Sequence, residues 1–253
     1  SITYPENEIL TLTYNNTATG KVNITLKSKN YKKTIEGDIN QTITIANLPA
    51  GEYDVTIEYL GDNVFSNATS SAYFTVEKIT TEIIPDKKTI DLLVEDKSNI
   101  TYTLSPDYAL GNVSFSSNDT NIASVDSESG KIMANAEGSA TITVSFSGNE
   151  NYTASNATIT VNVKKIPTQI TVNSSDIDMK VNGETDVGTG LEPANAGNLT
   201  YKSSDEDILI VENGKIKGLK EGNATITVSF AGDKKYAAAE NKTIAVNVRL
   251  NDA

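Results

Sequence analysis

The segment Glu137-Gly-Ser-Ala-Thr-Ile-Thr-Val-Ser-Phe-Ser-Gly148 returns 84 residues later as Glu221-Gly-Asn-Ala-Thr-Ile-Thr-Val-Ser-Phe-Ala-Gly232. A looser copy runs from Ala50-Gly51 through Tyr53, Val55, Ile57 and Tyr59 to Gly61. Four residues after its second glycine each copy carries an aromatic: Phe65, Tyr152 and Tyr236. Each then closes on a β-branched run ending at Val76, Val163 or Val248. Self-similarity at a fixed period means an array of one structural unit. The period is long for a solenoid and suits small domains that each close their own core.

Within each copy the alternation has period two. Ala140, Ile142, Val144 and Phe146 face one way, and Thr141, Thr143 and Ser145 the other. Ala224, Ile226, Val228 and Phe230 repeat the pattern, as do Tyr53, Val55, Ile57 and Tyr59. Half-buried antiparallel strands read this way, and nothing longer than a turn has helical spacing. The 253 residues divide into units 1–78, 79–164 and 165–253. About 85 residues is enough for two packed sheets, so the expected fold is all-β: three sandwiches in tandem. The second and third units also match in their first halves. Leu104-Ser-Pro106 pairs with Leu191-Glu-Pro193, Gly111 to Phe115 with Gly197 to Tyr201, and Ser117-Asn-Asp119 with Ser203-Ser-Asp205. The third unit shortens Asp126-Ser-Glu-Ser-Gly130 to Glu212-Asn-Gly214, and Asn-Gly predicts a tight two-residue hairpin there. The boundaries, Glu77 to Thr80 and Lys164 to Pro167, have no Gly/Ser run, which favours a rod of about 100 Å over flexible beads.

Composition excludes several functions. Without cysteine there are no disulfides or thiolate metal sites. Without histidine the usual general base is missing, and without tryptophan the strongest stacking platform. The net charge of -12 comes with a single arginine, which suits neither nucleic acid nor anionic lipid. No apolar run is long enough to span a membrane. Ser1-Ile2-Thr3 reads as a cut inside a longer protein, and we expect a monomer with no cofactor.

Thirteen Asn-X-Ser/Thr sequons begin at Asn15, Asn23, Asn40, Asn67, Asn99, Asn112, Asn118, Asn151, Asn156, Asn173, Asn198, Asn223 and Asn241. Chance would give about six from 27 Asn and 53 Ser or Thr. These are glycosylation candidates on a secreted surface. An outward strand face written in Asn and Thr also makes sequons by itself, because residues i and i+2 share a face.

The second and third units resemble the group 2 bacterial immunoglobulin-like domain. The residues that carry the resemblance are Ser117-Asn118, Ile122 to Val125, Gly130-Lys-Ile132 and Glu137 to Val144, with their third-unit partners. The third unit departs by placing Ser204 where the asparagine sits. The first unit resembles a related group through Asn47 to Gly51, Tyr53-Asp-Val, Tyr59 to Asp62 and Phe74 to Lys78. The Asn- and Thr-rich composition is similar to that of adhesin-like surface proteins of methanogenic archaea and some Gram-positive bacteria. The resemblance implies a non-enzymatic, extracellular cell-surface protein, stalk or binding region, whose partner is the surface of another cell. A carbohydrate-binding or spacer module of an exported polysaccharide-active enzyme is the alternative.

Other constellations read more simply as structure. Asp205-Glu206-Asp207 lacks calcium-loop spacing and reads as a solvated turn. Asp62, Asn149 and Asp233, each just after a glycine, fit Asx turns better than a metal site. Phe65, Tyr152 and Tyr236 read as corner residues plugging a sandwich end. Tyr31, Tyr102 and Tyr108 are less regular, and one of them in a groove would be the sugar contact. Lysines such as Lys131 and Lys215 sit at polar positions, away from any isopeptide crosslink in a core.

Overall fold

The computed structural model describes residues 1–12, 17–39 and 41–252. These form twenty-five strands and no helix. Three separate hydrophobic cores are present, one in each third of the chain.

In the second unit one layer is a four-stranded sheet with lateral order Val113–Ser117, Gly138–Phe146, Ser155–Lys164, Thr89–Leu93. The last two run parallel. The other layer holds Lys97–Asn99, Lys131–Ala134 and Ala123–Val125, with Glu82–Pro85 paired to Tyr102–Ser105. Glu82–Pro85 and Thr89–Leu93 are one first strand split between layers. Lys97–Asn99 and Tyr102–Ser105 are one interrupted second strand. One layer then contains strands one, two, five and four, and the other three, six and seven, which is the immunoglobulin arrangement. The third unit repeats it strand for strand, from Gln169–Val172 to Lys242–Arg249. The chain is therefore all-β, built of tandem immunoglobulin-like sandwiches.

The strand phases follow the alternation. Ala140, Ile142, Val144 and Phe146 are at most 1% exposed, and Ala224, Ile226, Val228 and Phe230 are likewise buried. Both meet the last strand of their unit in antiparallel register, Ile142 opposite Ile159 and Ile226 opposite Ile244. In the first unit Tyr53, Val55 and Tyr59 are buried, but Ile57 is only half-buried. It lies opposite the buried Ile24 on one side and the exposed Ser70 on the other.

The turns follow local chemistry. Asn213 and Gly214 have φ of 49° and 79°, the left-handed pair that a two-residue hairpin of matching twist requires. They join Leu209–Glu212 to Lys215–Gly218, with Glu212 opposite Lys215. In the second unit the longer loop closes on Asp126, whose Oδ1 accepts from the Glu128 and Ser129 amides and the Ser129 hydroxyl. Ser204 replaces asparagine without loss. Asn118 Oδ1 accepts the Thr141 amide at 2.7 Å, and Ser204 Oγ accepts the equivalent Thr225 amide at 2.9 Å.

The first unit differs in topology. Its five-stranded sheet runs Ile2–Thr3, Ala68–Glu77, Gly51–Tyr59, Lys21–Lys27, Lys32–Asp38, opposite the pair Glu8–Thr11 and Thr42–Ile45. The strand after Lys21–Lys27 stays beside it, because a four-residue loop, tied by Ser28 N–H to Tyr31 C=O at 2.8 Å, folds it straight back. In the other two units the chain leaves the sheet there and crosses to the opposite layer.

Candidate interaction surfaces

The most repeated local structure is the corner after the long central strand. Asp62, Asn149 and Asp233 each accept, on Oδ1, the amides two and three residues on. The last of these belong to Phe65, Tyr152 and Tyr236. Each aromatic returns its carbonyl to the acidic or amide residue's own N–H. Tyr152 and Tyr236 are buried and Phe65 packs on its core. The preceding glycines, Gly148 and Gly232, have φ of 68° and 72°. A Cβ at Gly232 would lie 2.6 Å from the Tyr236 carbonyl oxygen. These residues form structural corners, as their recurrence suggested.

Asp62 has more partners than its counterparts, since Oδ2 also accepts the Thr19 amide at 2.8 Å and hydroxyl at 3.0 Å. Amides from Thr19, Phe65 and Val64 hold its carboxyl well below the usual carboxylate range. The Asp233 carboxyl is likewise lowered, first by the Tyr236 amide and then by that of Lys235. A lowered folded-state value gives stability that is present above the unfolded value of about 4 and lost as pH falls through the folded value. The expected result is that the first unit melts at progressively lower temperature below about pH 4. Asp62→Asn, which keeps one acceptor as Asn149 does, should melt between wild type and Asp62→Ala and show a weaker acid dependence. Calorimetric melts across pH check this, and an identical pH profile for all three would refute it.

The same corner receives the linker. The Ile79 amide donates to Asn151 and its carbonyl accepts from Thr153, both at 2.9 Å. Ile166 does the same with Lys235 and Ala237. Thr81 and Thr168 hydroxyls then donate to the Thr153 and Ala237 carbonyls. The preceding strands end at Glu77 and Lys164, so one residue, Lys78 or Lys165, separates the last strand of one unit from the first pairing in the next. Further contacts close the joints. Between the first two units the Tyr4 and Tyr152 rings meet edge-on at 6.3 Å, the Ala50 amide donates to Asn151 Oδ1 at 3.0 Å, and Lys78 Nζ donates to the Asn149 carbonyl at 2.7 Å. Between the second and third, Lys235 pairs with Glu95 and Lys165 with Glu137.

Beside the first joint lies an open groove of about 830 Å³, lined by Tyr53, Tyr73 and Phe74 together with Lys27, Lys29, Lys78, Glu52, Asp54 and Glu150. Tyr73 is 87% exposed. Tyr53 stacks on Phe74 with centroids 5.2 Å apart and donates to the Pro49 carbonyl, and burial pushes its phenol up to about 12. Of the three irregular tyrosines, Tyr31 packs edge-on against Tyr53 and Tyr102 against Phe115. Tyr108 is exposed at 59%. None of these three lines this groove. Tyr73 does, and no pattern marks it in advance, because Ala68–Tyr73 lacks contrast between its two faces.

Of the sequons, Asn15 and Asn40 lie outside the described residues. Asn67, Asn99, Asn112, Asn118, Asn156, Asn173, Asn198, Asn223 and Asn241 are exposed, while Asn23 and Asn151 are half-buried. Asn112 and Asn198 occupy the same place in their units. Asn151 is engaged in the first joint. Asp205 Oδ1 accepts the Asp207 amide within a turn. Among the described residues no group of three or more acidic, Cys or His side chains is disposed to hold a metal, and no lysine belongs to a buried core.

Residues 110–148 match the family model of the intimin immunoglobulin-like domain. An uncharacterised protein of Clostridium acetobutylicum is 32% identical over 168 residues, covering 64% of this chain and 17% of that protein. The chain thus spans a small part of the curated relative it matches. Among solved structures, domains 1–6 of the surface layer protein SbsC align over 99% of this chain and 39% of theirs, at 15% identity and TM-score 0.36. Sidekick-1 immunoglobulin domains 1–5 align over 93% and 56%, at 14% identity and TM-score 0.36.

Proposed function

We propose that this chain is a non-enzymatic, extracellular segment of a cell-surface adhesin, built of domains 1–78, 79–164 and 165–253 in an extended rod. The second and third domains are read as the group 2 bacterial immunoglobulin-like type, in a surface protein of the kind methanogenic archaea and some Gram-positive bacteria carry. The observation that carries this reading is the joint. A single residue lies between units, and the next residue is hydrogen-bonded into the following corner, so each domain is aimed by the one before it. Such a chain holds its far end at a distance from a cell and presents it to another cell's surface. The match of residues 110–148 to an intimin immunoglobulin-like domain points the same way. The second reading, a carbohydrate-binding module, is favoured by the groove under Tyr73, where an exposed ring lies among carboxylates and ammonium groups.

Small-angle scattering tests the shape. A compact chain of this length has a radius of gyration of roughly 18 Å. A rod of about 100 Å gives roughly 30 Å. Beads coated with the chain should tether whole cells where blank beads do not. Collapse toward the compact value, or beads that stay bare, would remove the reading. Binding of the chain to a glycan array, lost in Tyr73→Ala, would replace it with the second.

A further inference from the structure

The outer faces of the second and third units share one register and can be compared residue by residue. One row of the second unit runs Thr141, Thr160, Thr89 across neighbouring strands, and its counterpart in the third runs Thr225, Ala245, Asp176. The next row runs Ser139, Asn162, Asp91 in the second unit and Asn223, Asn247, Asp178 in the third. Beside the first row, Ser204 stands where the second unit has Asn118. The differences converge on one spot. Ala245 and Ser204 each shorten a side chain, while Asp176 and Asn223 each lengthen one. The result is an open depression of about 510 Å³ in the third unit, with the exposed Ala245 in its lining.

The hydrogen bonds differ in the same place. In the second unit the row is closed on itself. Ser139 donates to Asn162 Oδ1 at 3.1 Å, and Asn162 Nδ2 donates to Asp91 Oδ1 at 2.9 Å. In the third, Asn247 Nδ2 still donates to Asp178 Oδ1, which also accepts from Arg249 Nη2, both at 2.9 Å. Asn223 does not complete the row. Its side chain, Asn247 Oδ1, Asp178 Oδ2, Asp176 Oδ1 and the Thr225 hydroxyl have no hydrogen-bond partner among the described residues. Ser204 Oγ accepts the Thr225 amide and keeps its own proton free to donate. A neighbouring domain does not cover such a face. In the second unit, which the third follows, Ser139 and Asp91 are exposed and Thr141 and Asn162 half-buried, the same classes as Asn223, Asp178, Thr225 and Asn247.

We propose that this depression binds a neutral hexose unit of a glycan. A sugar hydroxyl both donates and accepts, which suits a site that mixes carboxylate, amide and hydroxyl groups. The free oxygens of Asp176, Asp178 and Asn247 accept from the sugar, and Asn223, Thr225 and Ser204 donate to it. The C–H face of the ring lies on the Ala245 methyl. Asp176 has no ion-pair partner among the described residues, so sugar acids are repelled. The site contains no aromatic ring and is separate from the groove beside Tyr73. It names a chemistry for the opposing surface, and rests on the adhesin reading only for where that sugar is met.

The test is an NMR titration of the whole chain with the methyl glycosides of glucose, galactose and mannose. At least one should give saturable shifts confined to the amides around Asn223, Thr225, Ala245 and Asn247, with a Kd on the order of a millimolar. Ala245→Thr restores the second unit's residue at an exposed strand position, where a β-branched side chain is well tolerated. It should leave the melting temperature unchanged and weaken binding at least about tenfold. Asn223→Ser, again the second unit's residue, should do the same, and Tyr73→Ala should change nothing. Three results would overturn the proposal: no saturable shifts with any of the three glycosides, equal binding by both folded variants, or binding that EDTA abolishes, which would make a cation the ligand. Sugar binding by a chain whose coated beads tether no cells would uphold the site and remove the adhesin reading. Tethering without sugar binding would remove the site alone.

Discussion

Replacing Ile226 by alanine will destabilise the third sandwich by about 2–5 kcal/mol, through lost burial and the cavity left behind. Ile226 is 0% exposed, sits opposite Ile244 and Ser203, and shares its core with Leu209, Ile216 and Val246. Its neighbour Thr227 points to the outer face, between Lys202 and Thr243, so Thr227→Ala should stay within about 0.5 kcal/mol. Calorimetry of the whole chain should show the transition of the third unit moved by the first substitution and unmoved by the second. Equal effects would mean that the strand phase is wrong.

Gly232→Ala should be nearly as damaging, although it deletes nothing. A non-glycine residue held at a left-handed φ costs about 1–3 kcal/mol. Here φ is 72°, and the added methyl would also lie 2.6 Å from the Tyr236 oxygen and 2.7 Å from the Ala238 nitrogen. Both are backbone atoms and cannot turn aside. The corner must open, and with it the bond from Ala237 to Ile166 that seats the linker. Hydrogen exchange at Tyr236 and Ala237 should speed up well before the third unit as a whole loses stability. Unchanged protection there would show that the corner does not depend on this glycine.

The sequence made the strands legible because period two is a local property. Ala140 to Phe146 and Ala224 to Phe230 declare their inner face within seven residues. The Asn213-Gly214 turn and the Asx corners were legible for the same reason, since each is closed by atoms within three residues. The partners across the fold were not. Nothing near Ile79 indicates that it pairs beside Tyr152, and nothing near Asn151 that its side chain receives the Ala50 amide. The first unit's different topology turns on a four-residue loop and on which layer has room for the next strand, a tertiary matter. The exposure of Tyr73 was hidden for a third reason: in Ala68-Thr-Ser-Ser-Ala-Tyr73 both faces are small or polar, so the alternation carries no contrast.

The parallel pairing of first and last strands has a mechanical consequence. In the second unit Thr89–Leu93 and Thr160–Lys164 run side by side in the same direction, so the chain arrives at one end of this pair and departs at the other. Tension applied along the array therefore slides the two strands past each other and loads their rungs together rather than one at a time. The second and third units each oppose that shear with five residue pairs, so neither yields much before the other under load.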